Sequence, residues 1–111
     1  MKNYKKGNVY LVNLSNSYSN IQSGKRPCVL VQNDYANTFS NTLIVVPITT
    51  KIKRTDLPTH VKFDSKQMAL CEHILTISKE QIICYQYTLN RSAMKDIDRA
   101  LSISLSLKEE K

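Results

Sequence analysis

At 111 residues the chain can bury one modest core and not two, so residues 1–111 are read as a single folded unit. Sixteen Lys and Arg against nine Asp and Glu leave a formal net charge of +7, which suits a polyanionic partner such as nucleic acid or an acidic protein segment, or serves solubility alone. No apolar run reaches membrane-spanning length, the N-terminus lacks the apolar core of a secretion signal, and Cys28, Cys71 and Cys84 form no C-x-x-C pair. The expectation is a cytoplasmic protein away from membranes, with buried free thiols.

Gly7 precedes Asn8-Val9-Tyr10-Leu11-Val12-Asn13, whose β-branched and aromatic content predicts a first strand over 8–13. Residues 15–23, rich in Asn and Ser and without hydrophobic period, predict an exposed, mobile loop that ends at Gly24. Strands are predicted over 26–32 and 42–48, and the Asn and Asp residues of 33–41 predict turns between them. Pro47 has no N–H for a ladder, so it is expected at a sheet edge or where pairing stops, with Thr49 and Thr50 on the sheet margin. Beyond a basic loop, Lys51-Ile52-Lys53-Arg54, alternation predicts strands over 57–63 and, in part, 68–77. The period then changes: Met94, Ile97, Leu101 and Leu105 recur at helical spacing and predict an amphipathic helix, capped by Asn90 or Ser92, before a fraying end at 108–111. Strands in series followed by one helix give an α+β, mainly β fold: a small, strongly curved sheet or open barrel with the helix packed on it.

The residues that carry chemistry cluster at strand ends. Gly24-Lys25-Arg26-Pro27 sets two cations on a turn before an apolar strand, and a guanidinium on a rigid edge suits phosphate recognition. Thr49 and Thr50 offer hydroxyls, although threonine at a strand edge is ordinarily β-propensity alone. Lys51, Lys53 and Arg54 would attract phosphates or simply form a solvated loop. Tyr18, Tyr35 and Phe39 could stack on single-stranded bases, and Tyr35 and Phe39 could equally pack in a core or dimer interface. Glu72, on its own, reads as an ion-pair partner of Arg26 or a lysine. Neighbours on a strand point to opposite faces, so His73 is not expected in the pocket of Glu72 and reads as RNA-contacting or structural. His60 reads as a satisfied structural residue. Cys71 and His73 lack a further ligand at metal spacing, so no metal or cofactor is assigned.

In order along the chain, Gly7-Asn8-Val9-Tyr10-Leu11-Val12, then Lys25-Arg26-Pro27-Cys28-Val29-Leu30-Val31-Gln32-Asn33-Asp34 with Asn37, resemble blocks of the MazF/PemK toxin family. Val45-Val46-Pro47-Ile48-Thr49-Thr50, Leu57-Pro58-Thr59-His60-Val61, Glu72-His73-Ile74-Leu75-Thr76-Ile77 and Met94-Lys95-Asp96-Ile97-Asp98-Arg99-Ala100-Leu101 continue the likeness over nearly the whole chain. The departures are Ser23-Gly24 for a glycine pair, Ile21 for an acidic residue, and His73 and Leu75 for a glutamine and a basic residue, all bearing on base preference.

The resemblance implies an SH3-like barrel of the CcdB/PemK type with a C-terminal helix, a homodimer, a cognate antitoxin, and metal-independent endoribonuclease action on single-stranded RNA at short sequences. It implies Arg26 as the main transition-state stabiliser, Thr49 as its partner and Glu72 as an acid or base. The RNA-contacting set is Lys25, Thr50, Lys51, Lys53, Arg54, His73 and Tyr35. The ribose 2′-hydroxyl supplies the nucleophile, so no Ser/His/Asp constellation is needed, and the ends would be a 2′,3′-cyclic phosphate and a 5′-hydroxyl. Two other readings stay open on the same fold: a catalytically weakened module that binds RNA or protein, and a gyrase-poisoning toxin related to CcdB.

Overall fold

The computed structural model describes residues 3–15 and 24–107. The predicted loop at 16–23, with Tyr18, Ile21 and Ser23, and the predicted fraying end at 108–111 lie outside the described residues.

Seven strands and two α-helices follow in order: β1 (Asn8–Asn13), β2 (Lys25–Leu30), α1 (Asp34–Phe39), β3 (Thr42–Thr49), β4 (His60–Lys62), β5 (Met68–Leu70), β6 (Leu75–Ser78), β7 (Ile82–Thr88) and α2 (Arg91–Ser104). The antiparallel sheet runs β4-β5-β3-β2-β1-β7, and β6 pairs with the first half of β3. Alternation along the central strands divides the core in two. Val9, Val29, Val46 and Ile48 pack with Ile97 and Ala100 of α2 on one face, and Tyr10, Val12, Cys28, Leu30 and Val45 pack with Ile77 on the other.

Pro47 is buried in the middle of the sheet, opposite Cys28 of β2, and not at an edge. On the other side of β3 it falls where the partner changes, since β6 pairs as far as Val45 and β5 begins at Ile48. The missing donor is tolerated at that gap. Gly24 enters β2 with φ +76°, a left-handed backbone that glycine adopts without strain, while Leu14 N–H donates to its carbonyl at 2.7 Å.

Several predicted elements are corrected. The turn region 33–41 contains α1, capped by the Asn33 side chain accepting from Ala36 N–H at 2.8 Å. The strand expected over 57–63 is confined to His60–Lys62, and the run at 68–77 is two strands separated by a turn that carries Glu72 and His73. β7 had no predicted counterpart. α2 is capped by Asn90 and buries Ala93, Ile97 and Ala100, whereas Leu105 lies beyond it and is exposed. Cys28 and Cys71 are buried as expected, but Cys84 is exposed on β7.

Candidate active site

Arg26 and Thr49 lie at the same end of the neighbouring antiparallel strands β2 and β3. The β2–β3 ladder pairs Leu30 with Val45, Val29 with Val46 and Cys28 with Pro47, and Arg26 and Thr49 each lie two residues beyond its last pair. Both belong to the alternating series that places Cys28, Leu30 and Val45 in the second core, so their side chains leave the same face of the sheet. Arg26 is exposed and on its other side pairs with Val12 of β1. Cys28 lies beneath it, its thiol donating to the Arg26 carbonyl at 3.7 Å. Burial pushes that thiol up to about 12, only partly offset by the Arg26 charge, so it stays protonated and inert.

Thr49 lies on the rim of an open groove of about 270 Å³ floored by Met68 and Leu70 and lined by Lys51, Lys53, His60, Glu72 and His73. The Thr49 Oγ1 accepts the Lys51 N–H at 3.0 Å, leaving the hydroxyl proton to donate elsewhere. Glu72 Oε2 is 2.8 Å from His60 Nε2 and 3.7 Å from His73 Nε2. Burial alone would raise the Glu72 carboxyl. Hydrogen bonds from His60, its own backbone and Thr59 outweigh it and hold the group below the ordinary carboxylate value, so it is ionised at neutral pH.

One histidine differs from expectation. His73 shares the groove with Glu72, because both occupy the turn after β5, where strand alternation does not apply. His60 is a satisfied residue, as expected: its side chain is only 9% exposed and spans from Glu72 to the Lys53 carbonyl, 3.2 Å from Nδ1. Glu72 is therefore partnered by imidazoles, where the sequence alternative had Arg26 or a lysine.

The other expected contacts separate. Lys25 is exposed next to Arg26, opposite Asn13 of β1, and Thr50 is exposed just past the end of β3. Lys51 and Lys53 line the groove, but Arg54 turns to Asp56, donating two hydrogen bonds at 2.9 and 2.8 Å from a left-handed backbone with φ 49°. This bidentate contact holds Asp56 at a pKa of about 2. Tyr35 is not beside the groove. It lies on α1, past the opposite end of the β2–β3 pair from Arg26 and Thr49, on the order of 15–20 Å away at ordinary strand rise. There it is 78% exposed against Phe39, with ring centroids 4.9 Å apart, which also excludes core packing for the two rings.

Such an arrangement defines a small, mostly-β protein in which a hydroxyl and a carboxylate line one groove with two lysines, and an arginine lies at the same end of a neighbouring strand. Residues 5–105 match the family model of the PemK-like, MazF-like toxin of type II toxin-antitoxin systems. The chain is 40% identical over 110 residues to the endoribonuclease EndoA of Bacillus subtilis (strain 168), covering 93% of this chain and 95% of the relative. Among solved structures it resembles a mycobacterial endoribonuclease in complex with its cognate antitoxin, with a TM-score of 0.82 and 25% identity over 96% of this chain and 99% of that one. It shares the fold of MazF from Deinococcus radiodurans, with a TM-score of 0.82 and 14% identity over 96% of this chain and all of that one (100%). The chain belongs to the PemK-like, MazF-like toxin family.

Proposed function

We propose that this toxin-family protein is a metal-independent endoribonuclease that cuts single-stranded RNA at short sequences, leaving 2′,3′-cyclic phosphate and 5′-hydroxyl ends. The observation that supports the reading is that Arg26 and Thr49 lie at the same end of the neighbouring strands β2 and β3, with Thr49 at the rim of a groove lined by Lys51 and Lys53. In this mechanism the Arg26 guanidinium holds non-bridging phosphate oxygens as charge builds at phosphorus, the Thr49 hydroxyl donates to one of them, and Glu72 takes part in proton transfer. The two lysines draw the backbone into the groove. Residues 1–111 act as one domain in the cytoplasm.

The toxin is held in check by a cognate antitoxin and works as a homodimer. The dimer is supported by the outer edge of β7, which ends the sheet and exposes Ile83 and Tyr85 at 44% and 55%, an apolar edge that a second copy would cover.

The test is to incubate the purified protein with a long RNA in EDTA and map the ends. Discrete cuts with 5′-hydroxyl termini are expected, falling by roughly 10³-fold or more in Arg26→Ala. RNA left intact by the wild-type protein would overturn the reading, and inhibition of gyrase by the same sample would replace it.

A further inference from the structure

We infer that the groove continues past His60 into a cationic cleft between β4 and α2, and that Lys62, Arg99 and Lys95 there hold the single-stranded RNA that flanks the cut. The inference rests on the endoribonuclease reading and adds a second phosphate-binding stretch to it.

The two hollows share a wall. His60 lines the groove with Thr49, Lys51 and Lys53, and it also lines a neighbouring cleft of about 240 Å³ with Lys62, Asp96 and Arg99. Asp96 and Arg99 in turn border a hollow of about 470 Å³ along α2 that takes in Lys95. Local structure explains the placement. On β4, Val61 is buried and Lys62 beside it is exposed, as alternation along a strand requires. On α2, Ala93, Ile97 and Ala100 are buried, while Lys95 and Arg99, four residues apart, stand one turn from each other on the exposed side. The His60 ring is fixed between Glu72 Oε2 at 2.8 Å and the Lys53 carbonyl at 3.2 Å, so it forms a firm ridge between groove and cleft.

The charges along this path are uncommitted. Among the described residues, Lys62, Lys95 and Arg99 enter no ion pair, whereas Lys6 and Arg54 are each bound to an aspartate. Asp96 is the one carboxylate among the described residues that line the two hollows, set against three cations, so the path stays positive. Val61 and Ala100 give the cleft an apolar wall on which a ribose or base can rest. Continuity decides the occupant. An RNA cut internally in the groove must leave it on both sides of the scissile phosphate, and where it passes His60 this is the surface it meets. An acidic protein segment has no such constraint.

The test reads binding on oligonucleotides that carry the mapped cleavage site, blocked by 2′-O-methylation at the cleaved residue. One is a core that fills the groove alone; the others add about eight uridines on its 5′ or its 3′ side. One of the two extensions should tighten binding on the order of tenfold at low salt. Lys62→Gln combined with Arg99→Gln should abolish that gain and flatten the salt slope of the extended oligonucleotide by about 1.4, at about 0.7 for each phosphate, with the loss confined to the extended RNA. Asp96→Asn removes the carboxylate and should tighten binding of the extended oligonucleotide further. No gain from either extension, in protein that still cuts the unblocked core, would overturn the inference and leave the nuclease reading standing; so would a gain that the double variant keeps. A double variant that binds extended RNA normally but loses affinity for a poly-glutamate peptide would overturn it in favour of an acidic protein segment. Protein that leaves the unblocked core uncut would end both readings together.

Discussion

The Thr49 hydroxyl has one acceptor position committed to the Lys51 N–H at 3.0 Å and one proton to give, so its value to a phosphodiester is as a donor. Thr49→Ser keeps that donor and should retain activity within a few-fold. Thr49→Val keeps the shape, loses the donor and should slow cleavage by about 10²-fold with little change in KM, as expected of a contact made chiefly in the transition state. Single-turnover rates on a defined RNA distinguish the two. The strand-end positions of Arg26 and Thr49 were both legible in the sequence because each is anchored to an apolar run whose alternation and turn residues fix its place. The partners of His60 were not. They are Glu72, twelve residues away, and a carbonyl of the preceding loop, neither of which leaves a periodic trace.

Between β2 and β3 the recognisable Gln32-Asn33-Asp34 block serves the fold more than the chemistry. Gln32 and Asn37 are both buried polar residues. The Gln32 amide donates to the Asn37 side chain at 3.0 Å and to the Thr42 carbonyl at 2.9 Å; Asn37 donates to the Gln32 carbonyl at 2.9 Å and to Asp34 at 3.1 Å. Asp34 also accepts the Lys6 N–H at 2.7 Å, and its carboxyl is held below its usual value by that bond, with Asn37 and nearby lysines adding to the effect. α1 is thus a cross-linked connector, which explains why a six-residue helix with two exposed aromatics reads as a turn in sequence. β7 escaped for a related reason: most of its residues face solvent on an edge strand, so no buried alternation marks it. Replacing Asn37 with Leu strands the buried Gln32 groups and should cost about 2–3 kcal/mol in urea unfolding. RNA cleavage of the protein that remains folded should be unchanged, because the groove lies at the other end of the strands.

Across the whole molecule, a formal charge of +7 tells only that a polyanion is welcome; where it binds depends on which cations are already neutralised. Lys6 reaches Asp98 at 2.9 Å and Arg54 is claimed by Asp56, whereas Lys51 and Lys53 line the groove. This division was hidden in the sequence, where Lys51-Ile52-Lys53-Arg54 reads as one uniform basic patch. It yields a prediction in salt. Affinity for single-stranded RNA, measured on an oligonucleotide blocked by 2′-O-methylation at the cleaved residue, should fall with salt with a slope of about −0.7 for each neutralised phosphate. Substituting both Lys51 and Lys53 with Gln should flatten that slope by about 1.4 if each lysine holds one phosphate. Arg54→Gln should flatten it by much less, since an arginine bound to an aspartate releases few counterions when RNA arrives. A slope that responds to Arg54 as strongly as to either lysine would mean that the Asp56 pair opens on binding and that the loop is rebuilt around the RNA.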